Sequence, residues 1–535
     1  MKVTANLVDI LQQKIYPAQI TIRNQKITSI KRVSKAKSYI LPGFIDSHIH
    51  IESSMLPPSS FAMLALKHGT IATISDPHEI ANVLGLKGVY YMLENAKKTP
   101  LKIYFGASPC VPATRFETSG AKLGVKEIEE LLKRDDILYL SEVMNFPGVI
   151  ANEKEIMRKI AIAKKYKKHI DGHCPGLRGE NLSKYISAGI ETDHESFTLE
   201  EAEEKIKKGL KIEIREGSAA KNYEALHPLI AKYPDKLMFC SDDRHPDDLE
   251  KEHINSLVKR SLKKGYDLFD VLKIACINPV IHYGLDVGML RVGDKADFII
   301  VDNLENFEVQ KTIIDGKIAY SKEEKDSFSV PEIINNFHTS PKKEEDFEIE
   351  KCEEYLVIKA IDKQLITEKR YFKGEVPNIK NDILLFSVVN RYQNAKPALG
   401  LIEGFGLKKG AIASSVAHDS HNIVAVGCDK KSLSIVINEI IKHKGGICVY
   451  DGEKTDILEL DIAGLMSSKE PHFVAKKYAK LQQKAKNLGS SLTSPFMTLS
   501  FMALLVIPKL KLSDKGLFDS EKFEFTKICK SQKGF

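Results

Sequence analysis

His48-Ile49-His50 closes the apolar run 39–46. Alternate residues of a strand point to one side, so these two imidazoles can hold one metal ion between them. Alone, such a pair is as easily a solvated strand end. The rest of the chain decides between the two readings. Further apolar runs also end in residues that ligate metals or move protons: Asp76-Pro77-His78-Glu79, Glu142, Asp171-Gly172-His173, Asp193-His194-Glu195, Arg215-Glu216-Gly217-Ser218 and Ser241-Asp242-Asp243. Nitrogen and oxygen donors of this kind suit a divalent ion, and chance would scatter the 16 histidines without regard to strand ends.

The elements that must position these residues follow from the hydropathy pattern. Eight short apolar runs alternate with stretches of helical periodicity over residues 41–285. That order predicts a parallel α/β barrel, whose active site forms where the C-terminal ends of the strands converge. Residues 1–40 read as strands with polar turns, and alternation returns over 286–335, so the two segments are expected to form one small β module. Charge rises and apolar residues vanish around Ser340-Pro341-Lys342-Lys343, which predicts an exposed linker. Residues 345–535 mix alternating runs with a helix-like stretch at 431–443 and predict an α+β domain.

Composition narrows the class of function. A length of 535 residues with 43% hydrophobic residues predicts two or three globular domains. The net charge of +7 comes from lysines spread along helical stretches such as 163–168, which predicts solvated faces and no nucleic-acid partner. The longest apolar stretch, around 499–508, is too short to span a bilayer. The cysteines are isolated and the N-terminus lacks an apolar signal core, so a cytoplasmic location is expected. The Pro-Cys-x-x-Cys signature of the zinc nucleobase deaminases is absent, which sets that fold aside.

Several segments resemble the adenine deaminases of the amidohydrolase superfamily: 42–54, 76–82, 142–149, 171–176, 192–195 and 241–246, with a common superfamily segment at 288–297. The resemblance covers nearly the whole chain. It implies a TIM-like (β/α)8 metal-dependent hydrolase barrel with a small β-sandwich module and an additional C-terminal α+β domain. It further implies a binuclear centre, with His48 and His50 on one ion, His173 and His194 on the other, and a carboxylate between them, assigned to Glu142. Asp242 stands where the superfamily places its aspartate, and is expected to contact the metal and shuttle the proton. The implied reaction is hydrolytic deamination of adenine to hypoxanthine and ammonia by a metal-bridged hydroxide, a step of purine salvage. The implied ions are two of Mn2+ or Fe2+ per chain, in a homodimer or larger homo-oligomer.

Substrate contacts are harder to place. His78, Glu79, Arg215, Glu216 and Asp243 are the candidates, with Ser218 beside them, and Arg215, Glu216 and Ser218 could equally pair with one another. Strand alternation is expected to send Asp242 and Asp243 in different directions. Glu52 and Asn145 could orient metal ligands. His418 and His421, in 415–422, fit either another metal or anion site or a hydrogen-bonded turn at a domain interface, the latter being favoured. The competing activity is a dihydroorotase- or hydantoinase-like cyclic amidase, which would be expected to carry a carbamylated lysine where this chain has Leu140-Ser141-Glu142-Val143. A binding-only homologue would be expected to have lost ligands.

Overall fold

A computed structural model of the chain describes residues 1–218, 220–324 and 327–529. Its centre is an eight-stranded parallel barrel. Strands Phe44–Ile49, Thr70–Ser75, Lys102–Ala107, Ile137–Val143 and His169–Gly172 pair in that order, and Thr192–Asp193, Lys211–Arg215 and Leu237–Cys240 follow as a second parallel set. Backbone bonds from Glu191 N to Ile170 O and from Lys211 N to Glu191 O, both 2.9 Å, join the sets on one side. On the other side Asp242 N donates to His48 O at 2.9 Å. The same seam is locked by Asp46, whose Oδ1 accepts from Ser241 N at 3.0 Å and whose Oδ2 accepts from Ser241 Oγ at 2.5 Å. Closure therefore depends on a carboxylate two residues from His48, which fixes the height of the histidine pair. The strands are buried on both faces, as a parallel sheet wrapped by helices requires.

The segments before and after the barrel build a single seven-stranded sheet, in which Tyr39–Leu41 lies between Lys2–Asp9 and Phe298–Val301. Its own core includes Leu7, Ile20, Ile40 and Phe298. Strands Lys14–Arg23 and Lys26–Arg32 are joined by Asn24 and Gln25 at φ +48° and +67°, the left-handed pair that a tight hairpin turn needs.

The C-terminal region is an eight-stranded sheet with helices on both faces. Helix Lys430–His443 covers one face through Leu433, Val436, Ile437 and Ile440. The other face, with Ile412, Val424 and Val426, shares one continuous core with helices Pro471–Asn487 and Pro495–Phe501 and with the barrel.

Two expectations need correction. The charged segment around Ser340 is no free linker. Phe337 and Phe347 are buried, Lys342 N donates to Asn438 Oδ1 at 2.8 Å and His338 N donates to Arg391 O at 2.7 Å. Lys343, Glu344, Glu345 and Asp346 face outward, while buried Lys342 and two aromatic anchors, spaced beyond any helical or strand period, hold it down. The cysteines are also not all isolated: Cys352 and Cys529, 177 residues apart, are joined as a disulfide. Local spacing carries no trace of such a pairing. Among the described residues, no helix is long and apolar enough to cross a membrane.

Candidate metal centre

The strand ends deliver their polar residues to one buried cluster. Glu142 lies at its middle. Its Oε1 is 3.3 Å from His50 Nε2 and 3.4 Å from His78 Nδ1, while its Oε2 is 2.7 Å from His173 Nδ1 and 3.3 Å from His194 Nε2. Each carboxylate oxygen thus faces a different pair of imidazoles. Asp242 Oδ1 is 3.0 Å from His50 Nε2 and 3.5 Å from His48 Nε2. His48 and His194 stack with centroids 4.0 Å apart. The donors therefore fall into compact groups, among them His48, His50 and Asp242, and Glu142, His173 and His194, whose atoms lie within 4.8 Å of one another.

The donor set fits divalent ions. His48 is fully buried, yet among the described residues neither of its ring nitrogens has a hydrogen-bond partner, and His194 Nδ1 also lacks one. Orphaned buried nitrogens cost about 1–3 kcal/mol each unless something binds them. His50 Nδ1 donates to Asp76 O at 3.1 Å, which leaves Nε2 as the lone-pair nitrogen facing Asp242 and Glu142. Burial would raise the Glu142 carboxyl, but His173, His194 and His50 outweigh it and hold Glu142 well below the usual carboxylate range. Asp242 behaves alike: burial opposes ionisation, and Arg215, His48 and His50 hold it well below its ordinary value. Burial pushes His194 down, and His48 beside it pushes the same way.

The substrate candidates separate by orientation. His78 reaches Asp76 Oδ2 at 3.2 Å and Asp419 Oδ1 at 3.7 Å besides Glu142. Glu79 is bonded by both oxygens to His418 and His421 of the C-terminal domain. Arg215 lines the cavity and turns to partners other than Glu216 and Ser218: Nη1 donates to Asp242 Oδ2 at 2.6 Å and Nη2 to Glu195 Oε2 at 3.2 Å. Glu216 is not brought to the cluster. It follows strand Lys211–Arg215 with the opposite facing and pairs with Arg260 at 2.8 Å and Lys221 at 3.2 Å. Ser218 donates to Asp248 Oδ2 at 2.8 Å. Asp242 and Asp243 diverge as expected, but not through strand alternation. The strand ends at Cys240, and Asp242 adopts φ +52°, a left-handed conformation that turns its carboxylate to the histidines while Asp243 Oδ1 accepts from Ser53 Oγ at 2.5 Å.

Glu52 and Asn145 act on helix starts, not on ligands. Glu52 Oε1 accepts from Ile80 N at 3.1 Å in helix His78–Leu84, and Asn145 Oδ1 accepts from Gly148 N at 3.0 Å as the cap of helix Phe146–Ile150. Sequence reasoning missed Glu195 as the partner of Arg215, although it adjoins His194 at a strand tip. Asp76, named among the strand-end donors but given no place in the centre, is grouped with His50, His78 and Glu142. A cavity of about 2270 Å³ opens over the cluster, walled on the barrel side by His50, His78, Glu142 and Asp242 and on the other by His418, Met497 and Phe501. Of that second wall the sequence marked only His418, at a domain interface; Met497 and Phe501 carried no local signal.

A profile of the "Amidohydrolase family" matches residues 39–319, the barrel and its flanking strands, and one of the "Adenine deaminase C-terminal domain" matches 359–524. The chain is 60% identical to an adenine deaminase of Sulfurovum sp. (strain NBC37-1), over 99% of this chain and 100% of that one. The chain belongs to the adenine deaminase family. Other members lie across wide distances: the adenine deaminase of Borreliella burgdorferi is 52% identical over 98% of this chain and 99% of its own, and that of Methanosarcina mazei 49% over 98% of each. Membership accounts for the two-part plan, since the family's two profiles fall on the barrel and on the domain that walls its cavity.

Proposed function

We propose that this chain hydrolyses adenine to hypoxanthine and ammonia, with two divalent ions, manganese or ferrous iron, held by His48, His50, Glu142, His173, His194 and Asp242. The observation that carries the reading is the two-sided environment of Glu142, one oxygen toward each histidine group, in a chain similar to adenine deaminases from end to end. Bound ions would supply a strong Lewis acid and a water acidic enough to attack at neutral pH. The chain's own residues supply the rest. Asp242, oriented by Arg215 through Oδ2, presents Oδ1 on the histidine side, where it takes the attacking water's proton and returns it to the purine as the amine leaves. Glu195 holds Arg215 from the other side and so fixes that orientation. Glu142, not a lysine, ends the fourth strand, which sets the cyclic amidase reading second.

A cytoplasmic setting accords with six of the eight cysteines being free and buried, the Cys352–Cys529 disulfide being the exception to it. The exposed Phe197, Val506 and Phe523 at the cavity rim support assembly as a homodimer or larger. The test is direct: manganese-loaded protein is mixed with adenine, and ammonia and hypoxanthine are measured together. Equal, metal-dependent release of both is expected. Untouched adenine in a metal-replete sample would sink the assignment, and cyclic amides would be tried next.

A further inference from the structure

Glu79 sits at the junction of the two domains and meets two histidines of one C-terminal loop, between strands Ala411–Ser414 and Ile423–Gly427. The two are not equivalent. His421 is closed: its Nδ1 accepts from Ala417 N at 3.3 Å, so its Nε2 carries the proton and donates to Glu79. His418 is open: its Nδ1 is bonded to Glu79, but its Nε2 has no partner among the described residues, although the residue is only 3% exposed. His418 lines the cavity and His421 does not. A purely structural tie between the domains needs only the closed histidine.

His418 is also held in one plane. Phe501 stacks on it with centroids 4.5 Å apart and 17° between planes, and the Phe501 carbonyl accepts from the buried Lys511 Nζ at 2.9 Å. The site lies close to the metal-centre residues. His78 is 3.4 Å from Glu142 on one side and 3.5 Å from Glu79 on the other, so one imidazole and one carboxylate separate Glu142 from His418. A purine whose amine-bearing carbon is over Glu142 has its far ring nitrogens on this side, and a flat base is fixed by hydrogen bonds at its edges.

We propose that His418 contacts the substrate, its Nε2 hydrogen-bonding a purine ring nitrogen on the edge away from the reacting carbon, with Glu79 as the positioning residue behind it. The C-terminal domain then supplies part of the purine site. This rests on the adenine reading above, and the experiment separates the two.

Manganese-loaded wild type, His418→Phe and His418→Gln are compared for metal content, for KM and kcat with adenine, and for calorimetric binding of hypoxanthine. His418→Phe should keep the wild-type metal content while KM rises and hypoxanthine binding weakens by about tenfold, the size of one lost hydrogen bond. His418→Gln, which keeps a side chain able to hydrogen-bond the purine, should recover part of the loss, and it stands in should His418→Phe fail to fold. KM and hypoxanthine binding within twofold of wild type in both variants would overturn the proposal, as would loss of metal in step with loss of binding. A wild type that binds hypoxanthine but leaves adenine untouched overturns the reaction instead, and the calorimetric comparison still decides the role of His418.

Discussion

At the residue scale, the centre depends on two carboxylates with different neighbours. Glu142 makes its ion-pair contacts with imidazoles, whereas Asp242 shares its two oxygens between histidines and Arg215. Removing the charge of Glu142 should therefore act on metal retention first. Glu142→Gln is expected to lose most of its bound metal, measured by plasma mass spectrometry after dialysis, and full retention would argue against its central place. Removing the charge of Asp242 should act on proton transfer: Asp242→Asn is expected to lower kcat on the order of 10²–10⁴-fold, the usual range for a general acid-base group. A fall confined to KM would assign Asp242 to binding. His48 offers a third test. Its two partnerless nitrogens predict that stripping the metal with a chelator destabilises the fold as well as abolishing turnover, seen as a lower melting temperature that added manganese restores.

At the element scale, buried lysines hold the loops that present the ligands. Lys205 is fully buried and bonds Asp193 Oδ2 at 2.9 Å, Glu201 Oε1 at 2.6 Å and Cys174 O at 2.7 Å. Asp193 adjoins His194 and Cys174 adjoins His173, so one ammonium fixes two strand tips. Lys205→Met leaves two carboxylates buried without their cation and should destabilise by about 3–5 kcal/mol, read from urea midpoints. Lys511 differs, because it bonds only the carbonyls of Leu365 and Phe501. Burial without an acidic partner pushes it down to about 7 from an ordinary 10.5. The unfolded chain thus binds one proton more than the folded chain between those two values, and this site's contribution to stability rises with pH across that window. The stability lost in Lys511→Met should accordingly be greater at pH 10 than at pH 7. A loss independent of pH would show that Lys511 keeps its proton in the folded state.

At the scale of the whole molecule, the barrel and the C-terminal domain share one apolar core, and polar contacts cross the same boundary. Ser467 N donates to Met55 O at 2.9 Å, Asn336 Nδ2 donates to Val83 O at 2.8 Å, and His245 Nδ1 meets the Tyr478 hydroxyl at 2.5 Å. Neither part closes its apolar surface alone, so calorimetry should record a single unfolding transition. Two well-separated transitions would show that the domains are independent.

Much of this was legible in the sequence because it follows from local chemistry. Short apolar runs ending in His48, His50, Glu142, His173, His194 and Asp242 announced a barrel and a polar cluster at its mouth, since a parallel barrel brings all of its strand ends to one face whatever the loops do. Facing is also local in principle, and it turns Glu216 away from the cluster, yet Asp242 lies beyond its strand, where alternation stops applying and its own left-handed conformation redirects the side chain. Tertiary structure alone decided what depends on distant segments meeting. Examples are the Cys352–Cys529 pairing, the straps that dock the charged segment near Ser340, and the wall that His418 and Phe501 build over the barrel mouth. Glu79 and His418 are 339 residues apart, and no periodicity connects residues whose only relation is that two folded surfaces bring them together.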